Sequence, residues 1–333
     1  MTDSTLQNYF RLMTMNGGVR TFHAARTCGL LAELGSAPKT VQVLASACNL
    51  NIRACQLLLN VLADLGLAET TDNGFTGTPL LKLLTGPYAS LSDLYWDHLP
   101  AFLQTGIPMQ RMDDPKEAES HYVQQVVSLD WMMRASAQAI CPKLTALLPE
   151  HARILDIGAG SGVWSLSVAG CRSDINVVAV DRPAVLQIAS QHAEQASLAD
   201  RFIGSPGDLF DPTYSPFVGS DQLFDMAIVA NVCHGLTREQ IQMILQRIHG
   251  WLKTNGYLVV IDILKVVPSA NLTASLYELG LALRTTHGQV HSEDSLRAKI
   301  ADTGFLEMRA EAINAPPHIM GAIISRKGQQ ASA

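Results

Sequence analysis

Apolar positions recur along the chain in two different rhythms. Through residues 1–110 the spacing is helical. From Thr40 it predicts a helix, TVQVLASACNL, a break at Asn49–Asn51, and a second helix, IRACQLLLNVLADLG. In the second helix Ile52, Cys55, Leu58, Leu59, Leu62 and Leu65 share one face. AETTDNGFTGTPL follows, and its Asp72-Asn73-Gly74 is a hairpin-turn signal. Helix, helix and short hairpin make a winged-helix pattern. A further helical stretch runs from Pro115 to Leu148.

Beyond residue 149 strands and helices alternate. Strand ARILDI precedes a helix at 163–170, and INVVAV precedes one at 183–196. A short strand starts near Arg201. LFDMAIV is followed by a helix at 237–252, where Ile241, Ile244, Leu245, Ile248 and Leu252 share a face. GYLVVIDI, helices at 271–284 and 293–302, and strands at 305–312 and 319–325 complete the series. Apolar strands alternating with helices predict an α/β fold, a doubly wound, Rossmann-like sheet covered on both faces. The expected organisation is an all-helical winged-helix domain at 1–110, a helical linker at 111–148, the sheet domain at 149–326 and a polar tail at 327–333.

Composition narrows the partners. The 333 residues are 47% hydrophobic and 16% charged, enough for a large core. A net charge of −6 argues against a protein built around nucleic acid or an anionic membrane. Across residues 30–85, Lys39, Arg53 and Lys82 face Glu33, Asp64, Glu69 and Asp72, a balance of −1. A DNA reader needs several cations aimed at phosphates, and the second helix offers only Arg53. The winged helix therefore reads as a packing or dimerisation module. The segment MTDSTLQNYFRLM has no basic n-region and no unbroken apolar run, so it is not a signal peptide. No apolar run approaches the ~18 residues of a membrane span. The cysteines at 28, 48, 55, 141, 171 and 233 form no CxxC pair and no metal-ligand spacing with histidine. Reduced thiols in a cytoplasm, and no metal, are the expectation.

Candidate chemistry begins at RILDIGAGSGVWSLSVA. Its strand ends at Asp156, and Gly158, Gly160 and Gly162 follow. Glycines there permit tight turning and close backbone approach. Ligands of open parallel sheets bind at the carboxyl ends of the strands, at the switch point. The next strand ends in Asp181, where a carboxylate can accept the protons of both ribose hydroxyls. A dinucleotide fingerprint runs GxGxxG, with pyrophosphate on the helix N-terminus. Here the third glycine comes one residue early, and Val163 stands where that pattern has Gly. Adenosine without a pyrophosphate is favoured, which points to S-adenosylmethionine.

At this point the chain resembles a known family over nearly its whole length. It is similar to the class I S-adenosylmethionine-dependent methyltransferases, specifically the small-molecule O-methyltransferases of plant and bacterial secondary metabolism. LDIGAGSG resembles the family's first motif. VDRPAVL resembles DLPxVI, which carries the ribose-binding acid onto Asp181, with Arg182 beside it. PGDLFD is similar to the GDMF segment, which puts the acid beside adenine at Asp208, between Gly207 and Leu209. ANVCHGLTREQ stands where the family has HDWSDE, which implies catalytic His234, with Asn231 ahead of it on the cofactor side. The resemblance also implies that the N-terminal domain makes a homodimer.

Methyl transfer from a sulfonium is an in-line displacement that needs little beyond alignment. A positioned base adds roughly 10²–10⁴-fold where the nucleophile must lose a proton. A histidine's ordinary pKa, about 6.5, leaves its ring largely neutral at pH 7 and able to accept a phenol proton. His234 could equally cap a loop. Two departures from the family bear on it. Gly235 replaces an Asp, and in HGQVHS Val290 occupies the place of the Glu in GGKERT. His291 is next door, and Glu278 is the acid expected in the same region. His234 is thus expected to lack its usual orienting carboxylate, which keeps open N- or C-methyl transfer, or decarboxylation, hydroxylation or pericyclic chemistry on the same cofactor. Asp262 ends the fifth strand near the same rim, but strand-end carboxylates are common. Trp131, Met132 and Met133 could form an adaptable wall for a planar acceptor, or simply pack in a core. The expected product is a methylated hydroxyl on a small aromatic or polyketide-like acceptor.

Overall fold

Short polar side chains set the boundaries that apolar periodicity leaves open. The computed structural model describes residues 3–86, 89–217, 222–265 and 272–328; for 115–125 and 265 it describes the backbone alone. The expected helix start at 271 and most of the polar tail lie outside the described residues. The chain divides into two units between Leu94 and Tyr95.

The first unit contains α1 (Asp3–Thr27), α2 (Leu30–Glu33), α3 (Val41–Ala47), α4 (Ile52–Asp64), a hairpin of β1 (Ala68–Thr71) and β2 (Gly74–Gly77), and α5 (Pro79–Thr85). Thr40, Asn51 and Thr78 cap α3, α4 and α5 by accepting the backbone N–H of Val43, Ala54 and Leu81. Leu44, Leu59, Leu62 and Phe75 are buried together beneath them. Gly74, at φ 125°, brings β2 against Lys39, whose carbonyl oxygen would lie 2.2 Å from any Cβ. The helix pair and hairpin between residues 40 and 77 are therefore present, and the unit is not all-helical. The long α1 buries only Phe22 and Ala25.

The second unit continues with α6 (Asp93–Thr105), α7 (Pro115–Thr145), β3 (Arg153–Ile157), α8 (Val163–Cys171), β4 (Asn176–Asp181), α9 (Pro183–Gln195) and β5 (Phe202–Pro206). Then come β6 (Phe224–Ala230), α10 (Arg238–Trp251), β7 (Leu252–Lys265), α11 (Leu272–Ala282), β8 (His291–Ser292), α12 (Glu293–Ala301), β9 (Phe305–Ala312) and β10 (Met320–Lys327). The division falls well before residue 110 because the stretch after α6 is tied to the sheet unit. Met109 and Met112 donate their N–H groups to the carbonyls of Leu283 and Arg284, and Asp113 accepts those of Thr286 and His287.

The strand order is β5-β4-β3-β6-β7-β10-β9, with β8 paired to β7. Strands β3 to β7 run parallel, and β10 runs antiparallel to β7 and β9. Period-two alternation sends Val177, Met226, Ile228 and Val259 to one buried layer with α7, α8 and α9. Val178, Ala227, Val229 and Val260 go to another, with α10 and α12. The chain leaves β3 toward β4 and β5, then returns to its other side as β6. The loops after β3 and β6 thus flank the crevice at the switch point. Among the described residues no helix is long and apolar enough to cross a membrane.

Candidate active site

The loop after β3 is shaped by left-handed backbone. Gly158, Gly160 and Gly162 have φ of 65°, 57° and 76°. A Cβ on Gly158 would meet Val232 Cγ2 at 2.7 Å, so this position admits glycine alone on both torsional and steric grounds. The N–H groups of Gly158 and Ala159 return to the Val180 carbonyl, which pins the loop to the end of β4.

Asp181 completes that clasp. Its Oδ2 accepts the Gly160 N–H at 2.9 Å and its Oδ1 accepts the Arg182 N–H at 2.8 Å. Burial pushes its carboxyl up, and these two backbone donors pull it back. The second lone pair of each oxygen is left for a ligand. Asp156 sits deeper, 1% exposed, where Oδ2 accepts the Ser165 hydroxyl. Burial raises its carboxyl to about 7, against the Ser165 hydrogen bond. It braces α8 against β3 rather than opening onto the crevice.

The expected adenine side is built on a turn. Asp208 is exposed and its Oδ1 accepts the Phe210 N–H at 2.8 Å. Gly207 donates its N–H to the Asp181 carbonyl and lies under the Tyr214 ring, where a Cβ would come within 2.0 Å of Cε2. The Leu209 carbonyl is held by Arg247. Asn231, at φ 57°, accepts the Trp164 indole N–H and donates its own N–H to Ile261, joining α8, β6 and β7. Arg182 is half-buried.

His234 lies in the turn that follows β6, and a carboxylate holds it after all. Its Nδ1 is 2.7 Å from Asp262 Oδ1, and its backbone N–H donates to Oδ2 at 3.0 Å. Asp262 is 1% exposed and also accepts the Ile263 N–H. The expectation that Gly235 and Val290 leave His234 without an acid is therefore overturned. Val290 is buried in the core, and the neighbouring strand supplies the acid instead. A carboxylate only accepts, so Nδ1 carries a proton, and of the two neutral tautomers the contact selects the one with its lone pair at Nε2.

That nitrogen faces Tyr277, whose hydroxyl is 3.3 Å away and whose ring meets the imidazole edge-on. Burial pushes the Tyr277 phenol up to about 12, with the Arg284 charge opposing the shift and that of Asp262 adding to it. The phenol stays protonated and donates to Nε2.

The other expected substrate residues are differently placed. His291 is buried, with Nε2 3.0 Å from the Cys233 carbonyl, so it supports the turn of His234 from below. Trp131 and Met132 are 43% and 41% exposed, whereas Met133 turns into the core. Glu278 is half-buried on α11 beside Tyr277. No group of three or more metal-ligating side chains exists among the described residues. Sequence reasoning passed over Asp262 as a partner and did not single out Tyr277. The usable signal was pairing: Ala230, just before the His234 turn, is opposite Ile261, just before Asp262.

A glycine clasp on a half-buried strand-end acid and a carboxylate-held histidine flank one switch point. Together they define the class, a methyltransferase that uses S-adenosylmethionine. Comparison with known proteins gives the family. The sequence model of the O-methyltransferase domain matches residues 96–306, and the chain belongs to that family. It is 29% identical to acetylserotonin O-methyltransferase of Bos taurus over 157 residues, covering 47% of this chain and 43% of the bovine protein. It is 21% identical to the tetracenomycin polyketide synthesis 8-O-methyl transferase TcmO of Streptomyces glaucescens over 324 residues, 90% of this chain and 91% of that one. The structure of human N-acetylserotonin methyltransferase in complex with S-adenosylmethionine superposes with a TM-score of 0.72 at 20% identity, covering 99% of both chains. S-adenosylmethionine is the cofactor. The residues present fit it, since Gly158 allows no side chain into the loop and Asp181 keeps acceptor capacity at the strand end.

Asp181→Ala is expected to weaken cofactor binding by ~1.5–3 kcal/mol, the worth of hydrogen bonds to a charged group. That is roughly 10- to 150-fold in Kd. Titration calorimetry checks it, and an unchanged Kd removes Asp181 from the cofactor site.

Proposed function

We propose that the protein methylates a hydroxyl of a small aromatic or polyketide-like acceptor, with His234 as the general base. The observation that carries this reading is the Asp262–His234 pair, which directs Nε2 away from a buried carboxylate. Bound S-adenosylmethionine supplies an electrophilic methyl group. Its holders are the Gly158, Gly160 and Gly162 backbone, Asp181 with Arg182 at the ribose, and Gly207, Asp208 and Leu209 at the adenine. Asp156 and Asn231 keep that loop in place.

His234 Nε2 takes the acceptor's hydroxyl proton as the oxygen gains its new bond. Asp262 stabilises the imidazolium that results, because its buried carboxylate already holds Nδ1–H. Tyr277 occupies the lone pair of Nε2 in the resting protein, so an acceptor hydroxyl displaces the phenol or bonds to it. Trp131, Met132 and Glu278 remain candidates for the acceptor side. The presence of an orienting acid supports the transfer reading over the non-methylating chemistry that the missing family acids kept open. A DNA-binding role has little support: one of the three cations at 30–85, Lys39, is paired with Glu33 at 2.9 Å.

A homodimer through the first unit is part of the same proposal. Leu6, Tyr9, Phe10, Leu12, Met13, Met15 and Val19 of α1 are all exposed, an apolar surface that one copy leaves uncovered. Light scattering at micromolar concentration is expected to give twice the 36.0 kDa chain mass. Introducing Phe10→Glu and Met13→Glu together should reduce it to one. A monomer in the unaltered protein contradicts the proposal.

His234→Ala should lower turnover by roughly 10²–10⁴-fold. Cofactor affinity should stay within about twofold, since the imidazole serves the acceptor and not the adenosine. Asp262→Asn should fall in the same range. Its amide can donate to Nδ1 and so stabilise the tautomer protonated on Nε2. Turnover, cofactor affinity and melting temperature measured on one preparation, with a panel of phenols, test both. Turnover of His234→Ala within about threefold of the unaltered enzyme ends the general-base assignment.

A further inference from the structure

Two cysteines far apart in sequence are in contact on the sheet unit. Cys141, near the end of α7, and Cys171, the last residue of α8, have their Sγ atoms 2.7 Å apart. Both are free thiols. Of the six cysteines Cys171 is the exposed one, while Cys141 is 6% exposed beneath it. The neighbouring backbone is held firmly. Arg172 donates to the carbonyls of Thr145, Leu148 and Pro149, which fixes the end of α8 against the end of α7. We infer that Cys141 and Cys171 are a site of reversible oxidation, converted to a disulfide by hydrogen peroxide and reopened by thiols.

The chemistry divides between the two sulfurs by exposure. Cys171, which reaches solvent, loses its proton to water, and its thiolate attacks a peroxide oxygen. The O–O bond breaks, Cys171 becomes a sulfenic acid, and the departing hydroxide takes a proton to become water. The Cys141 sulfur then displaces hydroxide from the Cys171 sulfur. The S–S bond forms, the S–O bond breaks, and the Cys141 proton leaves with the hydroxide as a second water. Two thiols have given up two electrons and two protons to one peroxide. Burial, the hydrogen bond to Cys171 and the charge of Cys171 push the Cys141 thiol up to about 12, so Cys141 is not the sulfur that meets the peroxide; its contact with Cys171 places it for the second step.

The position of the pair sets what the bond does. Cys171 closes the nine-residue α8, whose N-cap is Gly162 of the cofactor loop. At 1.5 Å per residue the sulfur pair is about 13 Å down the helix from that loop. The disulfide is a staple between α7 and α8 at the far end from the reaction. It restricts the unfolded chain without altering the loop.

Full-length protein treated with hydrogen peroxide, then denatured and alkylated, is read by peptide mass spectrometry. The expected result is a peptide pair joined through Cys141 and Cys171, lighter by about 2 Da and separated by dithiothreitol. Free thiols should fall from six to four. Cys141→Ser should instead accumulate a dimedone-reactive sulfenic acid on Cys171. The oxidised protein should melt at a higher temperature, and its cofactor affinity should stay within about twofold of the reduced form. Recovery of both cysteines as alkylated thiols overturns the inference, as does a sulfinic acid on Cys171 beside a free Cys141. A bond between two copies of the chain overturns it equally.

Discussion

One buried carboxylate, Asp262, decides what His234 can do. It is 1% exposed and holds the His234 turn to its own strand, with His234 Nδ1 and Ile263 N–H on Oδ1 and His234 N–H on Oδ2. Ring orientation, tautomer and the His234 backbone N–H therefore share one anchor. Removing the imidazole would leave a buried carboxylate short of a partner, a situation that is strongly destabilising in proteins. The anchor in turn depends on sheet register. With Ala230 opposite Ile261, the end of β7 reaches the turn after β6, and a slip of one residue would send Asp262 to the other face.

The cofactor side repeats the device. Asp181 ends β4 as Asp262 lies near the end of β7, and it too spends its oxygens on the backbone of an adjoining loop. Strand ends at a switch point carry N–H groups that no ladder satisfies, and an acid among them organises the loop while offering lone pairs outward. Asp156, one strand over, shows the other outcome. It is buried completely enough that its carboxyl is raised to about 7, and it serves packing through Ser165. Three strand-end acids thus take different tasks according to how much of each carboxylate is left uncommitted.

Much of this was legible in the chain. Alternation of apolar strands and helices placed the long strands but not the two-residue β8, and the strand expected at 305–312 is β9 as observed. The glycine spacing and the acid after the next strand identified the loop and Asp181, because those depend on local backbone needs. The partner of His234 was not legible in the same way. Family positions 235 and 290 directed attention to places where a carboxylate is missing, while the acid present is 28 residues away and arrives through strand pairing. Tyr277 comes from a helix that the sequence marks only as apolar. Adjacency to Val290 suggested that His291 faces the site, yet it lies under the turn, on the Cys233 carbonyl. The unit boundary at residue 94 rather than 110 escaped notice for a related reason. The stretch after α6 is tied to the segment just past α11 by hydrogen bonds that Met109 and Met112 donate and Asp113 accepts, which no local pattern announces.

The protonation state of the His234 ring tests this account most directly. A long-range ¹H–¹⁵N correlation spectrum of the ¹⁵N-histidine-labelled protein distinguishes the two neutral tautomers, and the signals missing from His234→Ala assign the ring. The Asp262 contact predicts that the neutral ring carries its proton on Nδ1 and its lone pair on Nε2. A neutral ring protonated on Nε2 would contradict it, because that nitrogen could not then accept the acceptor's proton.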